Sequence, residues 1–66
     1  MKISLNGEPH ELASPVTLAD LLTTLGIDRR LVAVEHNRVV IRRARLEEIT
    51  VAEGDEVEIV NFVGGG

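Results

Sequence analysis

The sequence contains no cysteine. That excludes a disulfide framework, a thiol nucleophile and a cysteine-ligated zinc site, and a small domain without such staples suits a reducing compartment, with the cytoplasm as the expectation. Tryptophan and tyrosine are also missing and Phe62 is the one aromatic residue, so the core has to be aliphatic and no row of rings is available for stacking on bases. No apolar run approaches the roughly 20 residues of a membrane-spanning helix, and Met1-Lys2-Ile3-Ser4-Leu5-Asn6-Gly7 lacks the apolar stretch of a signal peptide, so no membrane partner is expected. Positive charge is in the minority, with 7 Lys and Arg against 11 Asp and Glu and a net charge of -4. A nucleic-acid binder concentrates positive charge to displace counterions, whereas an acidic chain is better matched to a basic protein surface. Neither G-x-x-x-x-G-K nor G-x-G-x-x-G occurs, so the chain is expected to bind no ATP or other cofactor on its own.

What is present is a globular balance of 44% hydrophobic and 27% charged residues in 66 positions. A chain of this length forms one domain and buries only about 60% of the surface it exposes when unfolded. Lys2-Ile3-Ser4-Leu5 alternates polar and apolar, and Asn6-Gly7 is the commonest two-residue hairpin turn, so Glu8-Pro9-His10-Glu11-Leu12 is expected to return as a strand. Pro9 donates no hydrogen bond and suits either an edge strand or the first positions of a strand. From Ser14 the period changes to 3.6, with Leu18, Leu21, Leu22 and Leu25 on one helical face, Thr17 and Asp20 spaced as a capping box and Gly26 just past the end. Leu31-Val32-Ala33-Val34-Glu35, apolar on both parities, reads as a strand inside a sheet. His36-Asn37-Arg38 reads as a tight turn into Val39-Val40-Ile41, and Glu53-Gly54-Asp55 as a turn into the last strand, Glu56-Val57-Glu58-Ile59-Val60. In that strand Val57 and Ile59 share the core face, while Glu58, Val60 and Phe62 share the other, which passes from acidic to apolar toward the end. The order ββαββ, with one long helix packed across one face of a mixed sheet, is an α+β β-grasp arrangement.

Little of this carries catalytic chemistry. His10 and His36 lack the i, i+4 spacing of a helical metal pair and are expected to be ordinary structural residues, so no metal site is foreseen. Glu47, Glu48, Glu53, Asp55, Glu56 and Glu58 are spread along turns and an alternating strand and read as solvated surface rather than as an acid–base pair. Arg42, Arg43 and Arg45 form the one basic cluster, which is open to three readings: a solvated face, a phosphate contact, or docking against an acidic groove of a partner. Phe62 either folds back into the core or, with Val60, forms an exposed apolar docking spot.

The ending Asn61-Phe62-Val63-Gly64-Gly65-Gly66 is the most unusual stretch. Chain ends often fray, yet three residues without Cβ atoms can also thread a channel that rejects anything larger. Extended at about 3.4 Å per residue, Val63 to Gly66 carries the terminal carboxylate on the order of 13 Å from its last anchored residue. A carboxylate with a pKa of roughly 3.5 is ionised and unreactive at neutral pH. Chemistry there needs activation by another molecule, which makes the chain a substrate rather than an enzyme. The organisation expected is a folded domain over residues 1–61 followed by a flexible glycine-rich tail over 62–66.

Met1-Lys2-Ile3-Ser4-Leu5-Asn6-Gly7-Glu8, the Leu18 to Leu25 helix, Val32-Ala33-Val34-Glu35, Glu53-Gly54-Asp55-Glu56-Val57-Glu58-Ile59-Val60 and the closing Val63-Gly64-Gly65-Gly66 occur in the order in which they stand in the ThiS family, the sulfur carriers of thiamine thiazole synthesis. The resemblance covers essentially the whole chain. It implies a ubiquitin-like fold whose last glycine, Gly66, is adenylated by an E1-like enzyme using ATP and Mg²⁺, converted to a thiocarboxylate and presented to thiazole synthase. Gly64 and Gly65 would form the threading arm, and Val60, Phe62 and Val63 the docking surface. Departures fall at Asn37-Arg38, where relatives often have Asn-Gly, and at Ile41-Arg42, where they often have proline before arginine. Rival readings are the small subunit of a molybdopterin synthase, a β-grasp binding module in which the glycines do nothing, and a protein tag joined through isopeptide bonds.

Overall fold

The computed structural model describes residues 1–62. Strands β1 (Lys2–Leu5) and β2 (Glu8–Glu11) form the expected hairpin, with Leu5 opposite Glu8 across a two-residue turn. Asn6 and Gly7 both have positive φ, 51° and 83°, the backbone of the turn whose twist matches that of the flanking strands. Asn6 also does something its local sequence does not announce. Ser4 and Asn6 donate their N–H groups to the carbonyls of Asp55 and Val57, and the Asn6 Oδ1 accepts the N–H of Ile59 at 2.7 Å. A side-chain oxygen thus extends the ladder between the hairpin and the last strand by one rung.

The helix α1 (Leu18–Leu25) is capped at both ends as its flanking residues predict. Thr17 Oγ1 accepts the N–H of Asp20 at 3.0 Å. Gly26 takes up a left-handed conformation with φ 73°, while the N–H of Ile27 reaches back to the Leu22 carbonyl, a Schellman closure. Two further N-terminal donors, on Leu18 and Ala19, are satisfied by the carbonyls of Ile49 and Leu46, so the segment that crosses beneath the helix also closes its first turn. Val16–Thr17 (β3) and Thr50–Val51 (β6) pair as a second, two-residue sheet at that crossing. Neither strand is visible in the sequence, because two residues are too few to show a period.

Between α1 and β6 run β4 (Val32–His36) and β5 (Val39–Ile41), and the chain closes its fold with β7 (Glu56–Asn61). The main sheet has the order β2-β1-β7-β4-β5, with β1 and β7 parallel and the other neighbours antiparallel. It is a mixed sheet with one helix across one face, the β-grasp arrangement expected. Val57, in the central strand, is buried against Ile3, Val32, Val34, Leu46, Val51 and the helix side chains Leu18, Leu21 and Leu22. Leu25, on the same stripe, is only partly buried against this core.

Two expectations about β4 change. Leu31 lies in a single 3₁₀ turn (Arg29–Leu31) and is exposed, so the strand starts at Val32. The strand is interior, flanked by β7 and β5, yet only Val32 and Val34 are buried, since the helix covers one face and leaves the other open. At its end, Asn37 and Arg38 form another two-residue turn with φ 51° and 71°. A Cβ in the left-handed region is strained by roughly 1–2 kcal/mol, offset by the extra chain entropy that a glycine brings to the unfolded state. Arg38→Gly should therefore raise stability by about 0.5–1 kcal/mol; urea melts at neutral pH will show an increased midpoint at unchanged slope, and a decrease would mean that Arg38, paired at 3.3 Å with Glu56, is held by more than its turn.

Candidate functional site

The face of the sheet that the helix leaves uncovered is built from alternate residues of β4, β5 and β7. Ala33 stands opposite Val60, and Glu35 stands between Glu58 on one side and Val40 on the other. Val60 and Phe62 are 54% and 58% exposed. The Phe62 N–H donates to the Leu31 carbonyl at 3.0 Å, so its backbone is tied to the sheet while its ring stays outside the core. This answers the open question about Phe62: the aromatic ring faces outward beside Val60. Leu31, Val60 and Phe62 thus form an apolar patch at the end of the sheet where the chain leaves it.

The other end is acidic. Glu35, Glu56 and Glu58 line an open recess of about 390 Å³ with Ser4, Gly7, Val57 and Arg38. Glu35 and Glu58 are direct cross-strand neighbours, and like charges in that position repel. A basic partner surface laid on this half would relieve the repulsion while the apolar half met apolar side chains. The expected passage from acid to apolar along β7 is therefore a property of the whole face. Of the residues expected to work with it, Val63, Gly64, Gly65 and Gly66 lie outside the described residues.

The structure also brings together residues expected to be ordinary surface. His36 Nε2 lies 2.7 Å from Asp55 Oδ2, and both side chains are only 18% exposed. Asp55 also accepts the Ala52 N–H at 2.9 Å and the Asn37 amide at 3.3 Å, while Asn37 Oδ1 accepts the Glu56 N–H. The network latches the β4–β5 turn to the turn before β7. Register makes it, because pairing His36 with Val57 sets the imidazole next to a residue 19 positions away. It stands at the start of β7, about 17–20 Å from the strand's far end, too distant to act on anything the apolar patch holds.

Burial pushes the Asp55 carboxyl upward, but the hydrogen bonds from Ala52, His36 and Asn37 outweigh it and hold the group below the usual aspartate value. A carboxyl held low in the folded state adds stability above the ordinary aspartate pKa of about 3.9, and that stability is lost as pH falls through the lower folded value. Urea midpoints should accordingly be steady near neutrality and drop below about pH 4. Asp55→Asn should cost about 1–3 kcal/mol at pH 7 and flatten that acid limb; an unchanged acid limb would place the sensitivity elsewhere.

Arg29, outside the sequence's basic cluster, fastens the crossing segment. Its guanidinium donates to both carboxylate oxygens of Glu47 and to the Arg43 carbonyl at 2.7 Å. Arg30 similarly clasps Asp28, holding that exposed carboxyl at about 2. Arg45 pairs with Glu48 at 2.9 Å, whereas among the described residues Arg42 and Arg43 have no carboxylate partner. Among the described residues there is also no cluster of three metal-ligating side chains, and no helix long and apolar enough to cross a membrane.

Comparison with known proteins places these features in a family context. Residues 3–66 match the sequence pattern described as the ThiS family. The sulfur carrier protein ThiS of Bacillus subtilis is 40% identical over 65 residues, covering 97% of this chain and 98% of that protein. The thiazole synthase of Magnetococcus marinus is 46% identical over 66 residues, all of this chain but 20% of the synthase, so the chain spans about a fifth of that relative's length. The crystal structure of the thiamine biosynthesis protein ThiS from Geobacter metallireducens superimposes with a TM-score of 0.87 at 33% identity, with each chain covered completely.

Proposed function

This chain belongs to the ThiS family, and from that membership we propose that it carries sulfur for the thiazole moiety of thiamine, serving other enzymes as a co-substrate in the cytoplasm. The observation that carries the reading is that the family match runs through residue 66 and so includes Gly64, Gly65 and Gly66. An oxygen of the Gly66 carboxylate attacks the α-phosphorus of ATP and expels pyrophosphate, giving an acyl adenylate. A sulfur nucleophile at the oxidation level of sulfide then attacks the acyl carbon, AMP leaves, and a thiocarboxylate remains. Adenylation exchanges a reluctant leaving group for a good one. An E1-like partner supplies ATP, Mg²⁺ and the groups that stabilise developing charge.

The body of the chain provides the grip. Val60 and Phe62 present an apolar docking patch, to which we add Val63 as the next apolar residue in the sequence, while Glu35, Glu56 and Glu58 favour a partner with basic side chains. Gly64 and Gly65 offer no Cβ to a narrow channel. Thiazole synthase is the acceptor in this reading, supported by a thiazole synthase of which a fifth is similar to this chain.

Intact-mass spectrometry of the protein ending at Gly66, incubated with ATP, a sulfide source and the host's activating enzyme, should show one oxygen exchanged for sulfur, located to Gly66 by fragmentation. An unchanged mass would overturn the reading. Recovery of a molybdopterin synthase large subunit in place of thiazole synthase, when native complexes are captured, would reassign the acceptor.

A further inference from the structure

Among the described residues the main sheet has two free edges, β2 and β5, and they are treated differently. On β2 the edge is blunted: Pro9 has no N–H to offer, and Glu8 and Glu11 flank it, a common protection against unwanted strand pairing. β5 contains no proline, and the charges that flank it, Arg38 and Arg42, are positive. Its two-residue turn pairs His36 with Val39, and the register pairs Val34 with Ile41. Antiparallel geometry then turns the N–H and C=O of Val40, between them, away from β4. Among the described residues no strand other than β4 pairs with β5. Val39 and Val40 are 60% and 67% exposed, and the extended backbone continues through Arg42, with φ -65° and ψ 145°. Beside this edge lies a groove of about 190 Å³ lined by Val39, Val40, Ile41, Arg42, Arg45 and Ile49.

We propose that the free edge of β5 is a docking site for an extended, carboxylate-bearing segment of a partner protein, which adds to the sheet as a further strand. The backbone of that segment pairs with Val40, its apolar side chains enter the groove over Val39 and Ile49, and its carboxylates meet Arg42 and Arg45. Strand addition draws affinity from main-chain bonds and selectivity from alternate side chains. Charge decides the occupant. In a second copy of this chain paired antiparallel about Val40, Arg38 of each copy would stand opposite Arg42 of the other, and like charges directly opposite destabilise a strand pair. An acidic segment reverses the sign of that interaction.

The site's position gives it a use. β5 and β7 run in the same direction with β4 between them, and Ile41 and Ile59 both pair with Val34, so Arg42 stands level with Val60, two strand spacings or roughly 10 Å away, at the end of the sheet toward Phe62. A partner held on the β5 edge stands beside the point where the chain leaves its fold. The inference goes beyond the carrier reading and does not depend on it.

The test uses ¹⁵N-labelled protein and the peptide acetyl-Asp-Val-Glu-Val-Glu-Val-Asp-amide. Titration should give saturable shifts confined to Val39 through Arg45 and Ile49, with amide exchange at Val40 slowed about tenfold or more. Replacing both Arg42→Glu and Arg45→Glu should weaken binding about tenfold. Val40→Pro, which removes an N–H that β4 does not use, should abolish binding while leaving the β4–β5 turn resonances in place. The proposal is overturned if millimolar peptide produces no shifts, if the same peptide with Lys for Glu and Asp binds equally well, if an oligonucleotide displaces it, or if sedimentation shows β5-dependent self-association in its place.

Discussion

Deletion of Gly66 is expected to reduce formation of the terminal thiocarboxylate by about a hundredfold or more while leaving the urea midpoint unchanged. The variant still ends in a glycine carboxylate, so its intrinsic chemistry is intact. What changes is reach, shortened by about 3.4 Å, and a misplacement of even about 1 Å at a reacting atom can cost about two orders of magnitude in rate. Val57 is the last buried residue of the described core and Ile59 the last that packs against it, which is why stability should not follow. Gly65→Val is the complementary variant, because it preserves length and adds bulk. If both variants were thiolated at the parent rate, in single-turnover assays read by intact mass, neither the length nor the narrowness of the glycine tail would be what the activating partner requires.

Leu21→Ala should be the most damaging single change to the fold, at about 2–5 kcal/mol. Leu21 is 1% exposed and sits in the middle of the helix face that covers Val57 and Ile3. A domain of this length has roughly 3–10 kcal/mol in total at about 0.05–0.15 kcal/mol per residue, so the variant should lose about half of its stability, seen as a large drop in the urea midpoint followed by helical circular dichroism. Leu25→Ala provides the control. It lies on the same helical stripe but is only partly buried, and should cost less than half as much. Equal losses would show that the periodicity, rather than the sheet beneath it, sets the energetics of this helix.

The sensitivity of the core has a bearing on function. Strand β7 is both the centre of the sheet and the last element before the tail, so the packing of Val57 and the exposure of Val60 and Phe62 are set by the same strand. Register is shared as well. A slip of one residue in β7 would turn Val57 outward and bury Glu58. The Asn6 side chain on Ile59 and the Asn37–Asp55 latch on Glu56 both hold β7 against that slip, from opposite flanks. The two halves of the open face, acidic and apolar, therefore stay in order only while those bonds do.

The elements that could be read from the sequence are those specified within a few residues. The Asn6-Gly7 turn, the Thr17 cap, the leucine stripe, the Gly26 stop and the alternation of Glu56 to Val60 each depend on local dihedral preference or on a period of two or 3.6, and such signals survive without knowledge of the fold. Family resemblance added the role proposed for the three glycines, which periodicity could not supply. Four features were decided by tertiary structure alone: the pairing of β3 with β6, the Asn6 rung on Ile59, the pairing of the half-buried His36 and Asp55, and the position of β5 at the opposite edge from β2. Each joins residues far apart in the chain, and a polar side chain takes its role from the partner that folding sets opposite it, which no local stretch of sequence contains.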